Sequence, residues 1–218
     1  MKNRPRTMSN IMQTVLFIVI GSISVAFLSF LDVPKGVVLL LVLLASTLMF
    51  TVYPMFLIYK SNSLLAIEKY IIRNRKKPLF SYAYALAYGR EGDIEEALQF
   101  ILKKYKQKEM QTIYKANLAL HQKDHQKLLQ LSNEMEKPDY QPYYSGLAYA
   151  IGGQLEKAKV YVDETQTPWM LHSLKASIAI HEDNFSTYES EKEKAIESAR
   201  GIQKYTVYHR FEKLSGKS

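Results

Sequence analysis

The sequence predicts an all-α chain: a two-helix transmembrane hairpin, an α-solenoid of about four helix pairs, and a C-terminal capping helix. Three observations carry this. Residues 11–31 and 37–59 are apolar runs without a charge, separated by only five residues. From Pro78 onward the apolar residues fall at helical spacing in short amphipathic segments. A small residue opens the same pattern at positions 85, 116, 146 and 176, in steps of 31, 30 and 30.

The elements follow in order. Residues 1–10 form a polar arm with Lys2, Arg4 and Arg6. Each apolar run is long enough, at about 1.5 Å per residue, to cross a hydrocarbon layer of roughly 30 Å. The intervening Asp32, Val33, Pro34, Lys35 and Gly36 allow only a tight turn. In the first run Ser22 and Ala26 make a small-xxx-small step suited to close packing within the hairpin. In the second, Pro54 predicts a disturbed helix, and Tyr53 and Tyr59 suit the headgroup boundary. A cleaved signal peptide is the competing reading. The apolar core is too long for it, no small-x-small site follows, and a second run comes at once.

Charge orients the hairpin. Of the 218 residues, the first 77 hold ten Lys/Arg against two Asp/Glu, and the rest hold 19 of each. The net charge of +8 therefore belongs to the segments flanking the apolar runs. Basic flanks stay cytoplasmic, so both termini are expected in the cytoplasm and the chain in the plasma membrane of a bacterial cell. A neutral folded part gives no basis for nucleic-acid binding. Without cysteine there is no disulfide or thiolate chemistry. Residues 60–77 are read as a basic juxtamembrane helix capped within Ser61, Asn62 and Ser63. Its Lys69, Arg73, Arg75, Lys76 and Lys77 fix topology, and a patch for anionic lipid is the further reading.

The clearest unit of the repeat runs Gly146, Tyr149, Gly153, Leu155, Ala158. Its neighbours align as Ala85, Tyr88, Gly92, Ile94, Ala97; as Ala116, Ala119, Lys123, His125, Leu128; and as Ala176, Ala179, Asp183, Phe185, Tyr188. The small residue lets two helices cross closely, the glycine pair turns the chain, and the last two positions pack the second helix back. Over residues 78–201 this resembles the tetratricopeptide repeat, a helix-turn-helix unit of about 34 residues. Residues 64–78 look like the second helix of a preceding unit, and 202–218 like a capping helix and tail. Ile202, Tyr205, Tyr208 and Phe211 form the stripe expected to cover the last pair.

The resemblance implies a concave groove lined by the first helix of each pair. Carried over by position, it presents Tyr82, Leu86, Ile113, Asn117, Tyr143, Leu147, Ser173 and Ser177. Members of the family that clamp a chain terminus use Lys, Arg and Asn there, and of these only Asn117 is present. An aromatic, mostly uncharged groove favours an extended or helical peptide held by apolar contact. The competing reading is that these tyrosines pack between repeats.

No catalytic signature, phosphate-binding loop or zinc motif is found, so no catalytic, metal or cofactor-binding residues are expected, and no enzyme. His121 and His125, four apart, are read as solvated turn residues, and the fourth-repeat carboxylates as a solvated helix face. The expected function is a membrane-anchored adaptor or scaffold binding a protein or peptide partner in the groove. The alternative is a small accessory or regulatory subunit of a membrane transport, secretion or envelope-assembly complex, acting through its hairpin.

Overall fold

The computed structural model describes residues 10–30, 33–214 and 216, with no side-chain description for a few positions in the first helix. The basic arm before Asn10, Asp32 of the expected turn and most of the C-terminal tail lie outside the described residues. Among those described, every regular element is helical.

Helix α1 (Asn10–Phe30) packs on α2 (Lys35–Thr47). The helix continues through a π-helical turn (Leu48–Val52) into α3 (Tyr53–Tyr59). Pro54 has no N–H to give and its ring crowds the preceding turn. The widened turn just before it, closed by the Tyr53 N–H on the Leu48 carbonyl, absorbs that conflict. Lys35–Tyr59 is thus one 25-residue helix, long and apolar enough to cross a membrane, with almost none of its apolar surface covered by the rest of the protein. In α1 the side chains partly covered are Gly21, Val25 and Leu28, whereas Ser22 and Ala26 are exposed. The small-xxx-small expectation is corrected accordingly. The covered face runs through 21, 25 and 28, and a Cβ on Gly21 would touch nothing.

A four-residue link leads to α4 (Leu64–Asn74), whose first turn is capped by Ser63 Oγ accepting from the Ala66 N–H. Pro78, favourable in a first helical turn, opens α5 (Pro78–Tyr88). Then follow α6 (Glu91–Lys104), α7 (Lys108–His121), α8 (His125–Ser132), α9 (Tyr140–Ile151), α10 (Leu155–Glu164), α11 (Pro168–His181), α12 (Phe185–Ser198) and α13 (Gly201–Leu214). From α3 to α13 each helix packs on the next, and α9 also packs on α7 and α11. The positions opening the recurring pattern are where helices meet most closely. Ala85, Ala116 and Ala176 are buried, and a Cβ on Gly146 would fall 2.6 Å from Leu174 Cδ2.

Three of the four turns are copies at intervals of 30 residues. Lys123, Gly153 and Asp183 take the left-handed conformation (φ 57°, 73° and 56°). The next residue's N–H returns to the carbonyl of Ala119, Tyr149 or Ala179, 2.9 Å in each case. This closure is a common solution for the orphan carbonyls of a helix end, and glycine is its natural residue. Only the third copy has the glycine. The first turn departs from the alignment: Gly92 lies inside α6, and the chain turns at Gly89, where a Cβ would sit 2.7 Å from the Ala85 carbonyl oxygen.

Helix α13 covers more than the last pair. Its Val207 and Phe211 pack on Ala176, Ala179, Tyr188 and Ala195 of α11 and α12. Its Tyr205 packs on Ile67 and Ile71 of α4 and on Ala83 and Ala87 of α5. Its first residue reaches the membrane-length helix: the Gly201 N–H donates to the Ser61 carbonyl at 2.8 Å. Gly201 is left-handed (φ 57°), and a Cβ there would overlap the Ile58 carbonyl. The fourth-repeat carboxylates are likewise not all solvated. Glu191 is buried, with His172 Nδ1 and Lys194 Nζ each at 2.7 Å.

Two expectations follow for the melting temperature of the full chain in detergent. Lys123→Gly, which removes a side chain from an unfavourable left-handed position, should stabilise by roughly 0.5–1 kcal/mol, and no gain would count against the turn. Gly201→Ala and Gly153→Ala bear the same conformational cost of about 1–2 kcal/mol. A Cβ on Gly153 meets nothing within 4 Å, so only Gly201→Ala should also release α13, seen as new protease cleavage near residue 200.

Candidate functional site

Seven of the eight groove residues expected from the sequence converge on one cavity of about 670 Å³. Tyr82 and Leu86 reach it from α5, Asn117 from α7, Tyr143 and Leu147 from α9, and Ser173 and Ser177 from α11. Within α5, α9 and α11 the pair is four apart, which places both on one face of a helix. Ile113 is the exception and is corrected. It lies one turn earlier on α7, beside Lys108, Glu109, Met135 and Tyr140 in a shallow depression.

A further wall comes from α13. Val207, Arg210, Phe211 and Leu214, spaced as one helix face, all line the cavity. Arg210 Nη2 donates to Asn117 Oδ1 at 2.8 Å and to Tyr82 Oη at 3.1 Å, so one side chain joins α13 to α5 and α7. The concave face is therefore partly filled by the chain's own last helix. Reading residues 202–211 at every third position obscured this; the spacing 207, 210, 211, 214 was present to be found.

Several groups on or beside the cavity have defined states. Burial pushes the phenols of Tyr143 and Tyr144 up, so both are neutral hydroxyls at physiological pH. Tyr143 stacks edge-on against Trp169, 5.5 Å between centroids, so it both faces the cavity and packs between helices. His181 Nδ1 donates to the Ser177 carbonyl at 2.7 Å. Lys213 Nζ donates to the Gly89 carbonyl at 3.0 Å, a second tether from α13 to the first pair. Tyr188 Oη, in a residue 3% exposed, lines the cavity without a hydrogen-bond partner.

The histidine reading is corrected in part. His121 is not solvated: its Nε2 lies 3.2 Å from Glu91 Oε2 and joins α7 to α6. His125 is exposed at the start of α8, with its ring against Gly152. Among the described residues no three His, Asp or Glu side chains converge as metal ligands would. In the basic segment Lys69, Arg75, Lys76 and Lys77 are exposed and Arg73 is half-buried.

No family model, curated protein or solved structure matches the chain. The Arg210 bridge predicts a measurable coupling. In a double-mutant cycle of Tyr82→Phe with Arg210→Met, unfolding should show an interaction energy of roughly 0.5–3 kcal/mol. Strict additivity would mean that the contact contributes nothing.

Proposed function

We propose that this chain is a membrane-anchored adaptor of the tetratricopeptide type, in which α1 and Lys35–Tyr59 form a two-span hairpin and α4–α13 a cytoplasmic α-solenoid. Recurrence at 30 residues, with the same left-handed turn three times, supports the repeat reading. The exposed apolar surface of Lys35–Tyr59 supports insertion, and the excess of Lys/Arg around the apolar runs supports cytoplasmic termini in a bacterial plasma membrane. The observation that carries the proposal is the convergence of residues from four helices on one concave site. Gly201, Ile58 and Ser61 hold that site to the end of the apolar helix. A site so held captures a partner at a surface, where effective concentration replaces intrinsic affinity. The role is recruitment of a protein partner rather than catalysis, and the exposed basic residues after α3 add attraction to anionic lipid.

The link from Gly201 to Ile58 also favours a second reading. A hairpin that touches α13 directly is placed to act as a subunit of a larger membrane assembly. One experiment separates the two. Residues 10–52 are exchanged for an unrelated two-span hairpin, keeping 53–63, which α13 grips. A photo-crosslinker is placed at Ser177 on the cavity and, as control, at the exposed Val160 of α10. The adaptor reading expects a protein adduct at Ser177 only, unchanged by the exchange. Loss of that adduct on exchange favours the subunit, and equal adducts at both positions contradict the groove.

A further inference from the structure

Arg210 is a cation that its surroundings do not neutralise. A guanidinium has five N–H donors, and its hydrogen-bond partners, Tyr82, Asn117 and Tyr143, are all uncharged. Among the described residues no carboxylate pairs with it. Glu91 is the one carboxylate lining the cavity, and it is held by His121. The phenols around the guanidinium are kept neutral by burial and supply no counter-charge. An unpaired charge in such a place costs several kcal/mol, which a methionine of similar reach would avoid.

A further polar group points the same way. Tyr188 Oη lines the cavity, more than nine-tenths buried and without a partner. Buried hydroxyls in native proteins are nearly always hydrogen-bonded, so this one marks where a ligand's acceptor belongs. The rest of the wall is hydrocarbon, from Leu86, Ile94, Leu147, Ile180, Phe211 and Leu214. Lys123 and Lys213 also line it, which adds to the positive excess.

Room decides the class of ligand. With α13 in place the cavity measures about 670 Å³, in the range of small-molecule sites. We infer that the cavity binds a small amphiphilic anion, a carboxylate on a hydrocarbon body. Its head pairs with Arg210 and accepts from the hydroxyl of Tyr188, and its tail lies along the apolar wall. A single guanidinium fork suits a singly charged carboxylate. The cavity is the one that the adaptor reading gives to a protein partner, so a bound anion and a peptide exclude each other there.

The test is equilibrium dialysis of the full chain, in nanodiscs of zwitterionic lipid, against decanoate. Decanol and acetate are the controls, and empty nanodiscs give the partition background. One decanoate per chain should bind saturably, with neither decanol nor acetate doing so. Arg210→Met should weaken binding by about tenfold or more, the loss of one charge-assisted pair. Ser177→Phe, which fills the cavity from a half-exposed position and leaves Arg210 intact, should abolish it while the circular dichroism stays helical. Decanoate binding unchanged in either variant, or matched by decanol, would overturn the assignment. So would saturable binding of a tripeptide with a free carboxylate in place of decanoate.

Discussion

Helix α13 is the constraint on which the rest depends. A row of helix pairs buries apolar surface only against its neighbours and leaves an uncovered face at each end. Here one helix covers both. Tyr205 closes the end made by α4 and α5, and Val207 and Phe211 close the end made by α11 and α12. Full burial of one such side chain stabilises by about 1.5–3 kcal/mol, so three of them are comparable with the net stability of a small domain. Closing first to last also deepens the concave face into a walled cavity that stays open on one side. The lining residues of α5, α7, α9 and α11 then face one cavity because α13 supplies a further wall.

The same helix connects the site to the apolar helix. Gly201 lies against the Ile58 carbonyl, where only a residue without a Cβ fits, and nine residues later Arg210 enters the cavity. At about 1.5 Å per residue these points are roughly 14 Å apart on one rigid rod. Whatever binds at Arg210 therefore acts on an element in contact with residues 58–61. The adaptor and subunit readings differ in whether that connection transmits anything or only holds the module in place.

Much of this arrangement was legible in the sequence because periodicity reports burial directly. The helix pairs, the length of the second apolar run and the small residue at each crossing follow from spacing alone, and Gly146 and Ala85 behave as their positions predict. What was not legible depended on contacts across long sequence separation. Gly92 matched Gly153 in register, yet the first turn forms at Gly89, because glycine permits a conformation without requiring it. Lys123 and Asp183 adopt the left-handed turn without the glycine that would have signalled it. Arg210 stood in a stretch read at every third position, whereas its contacts with Tyr82 and Asn117 lie 128 and 93 residues away. His121 meets Glu91 across the preceding helix pair, a partner that no local pattern names.

Hydrogen exchange on a chain ended after Arg200 tests the closing role of α13 most directly. The account predicts that amides of α4 and α5 lose protection together with those of α11 and α12, while α9 and α10 in the middle hold theirs. Loss confined to α12, with α4 and α5 still protected, would show that α13 caps only its neighbour, and would contradict the closure on which the cavity rests.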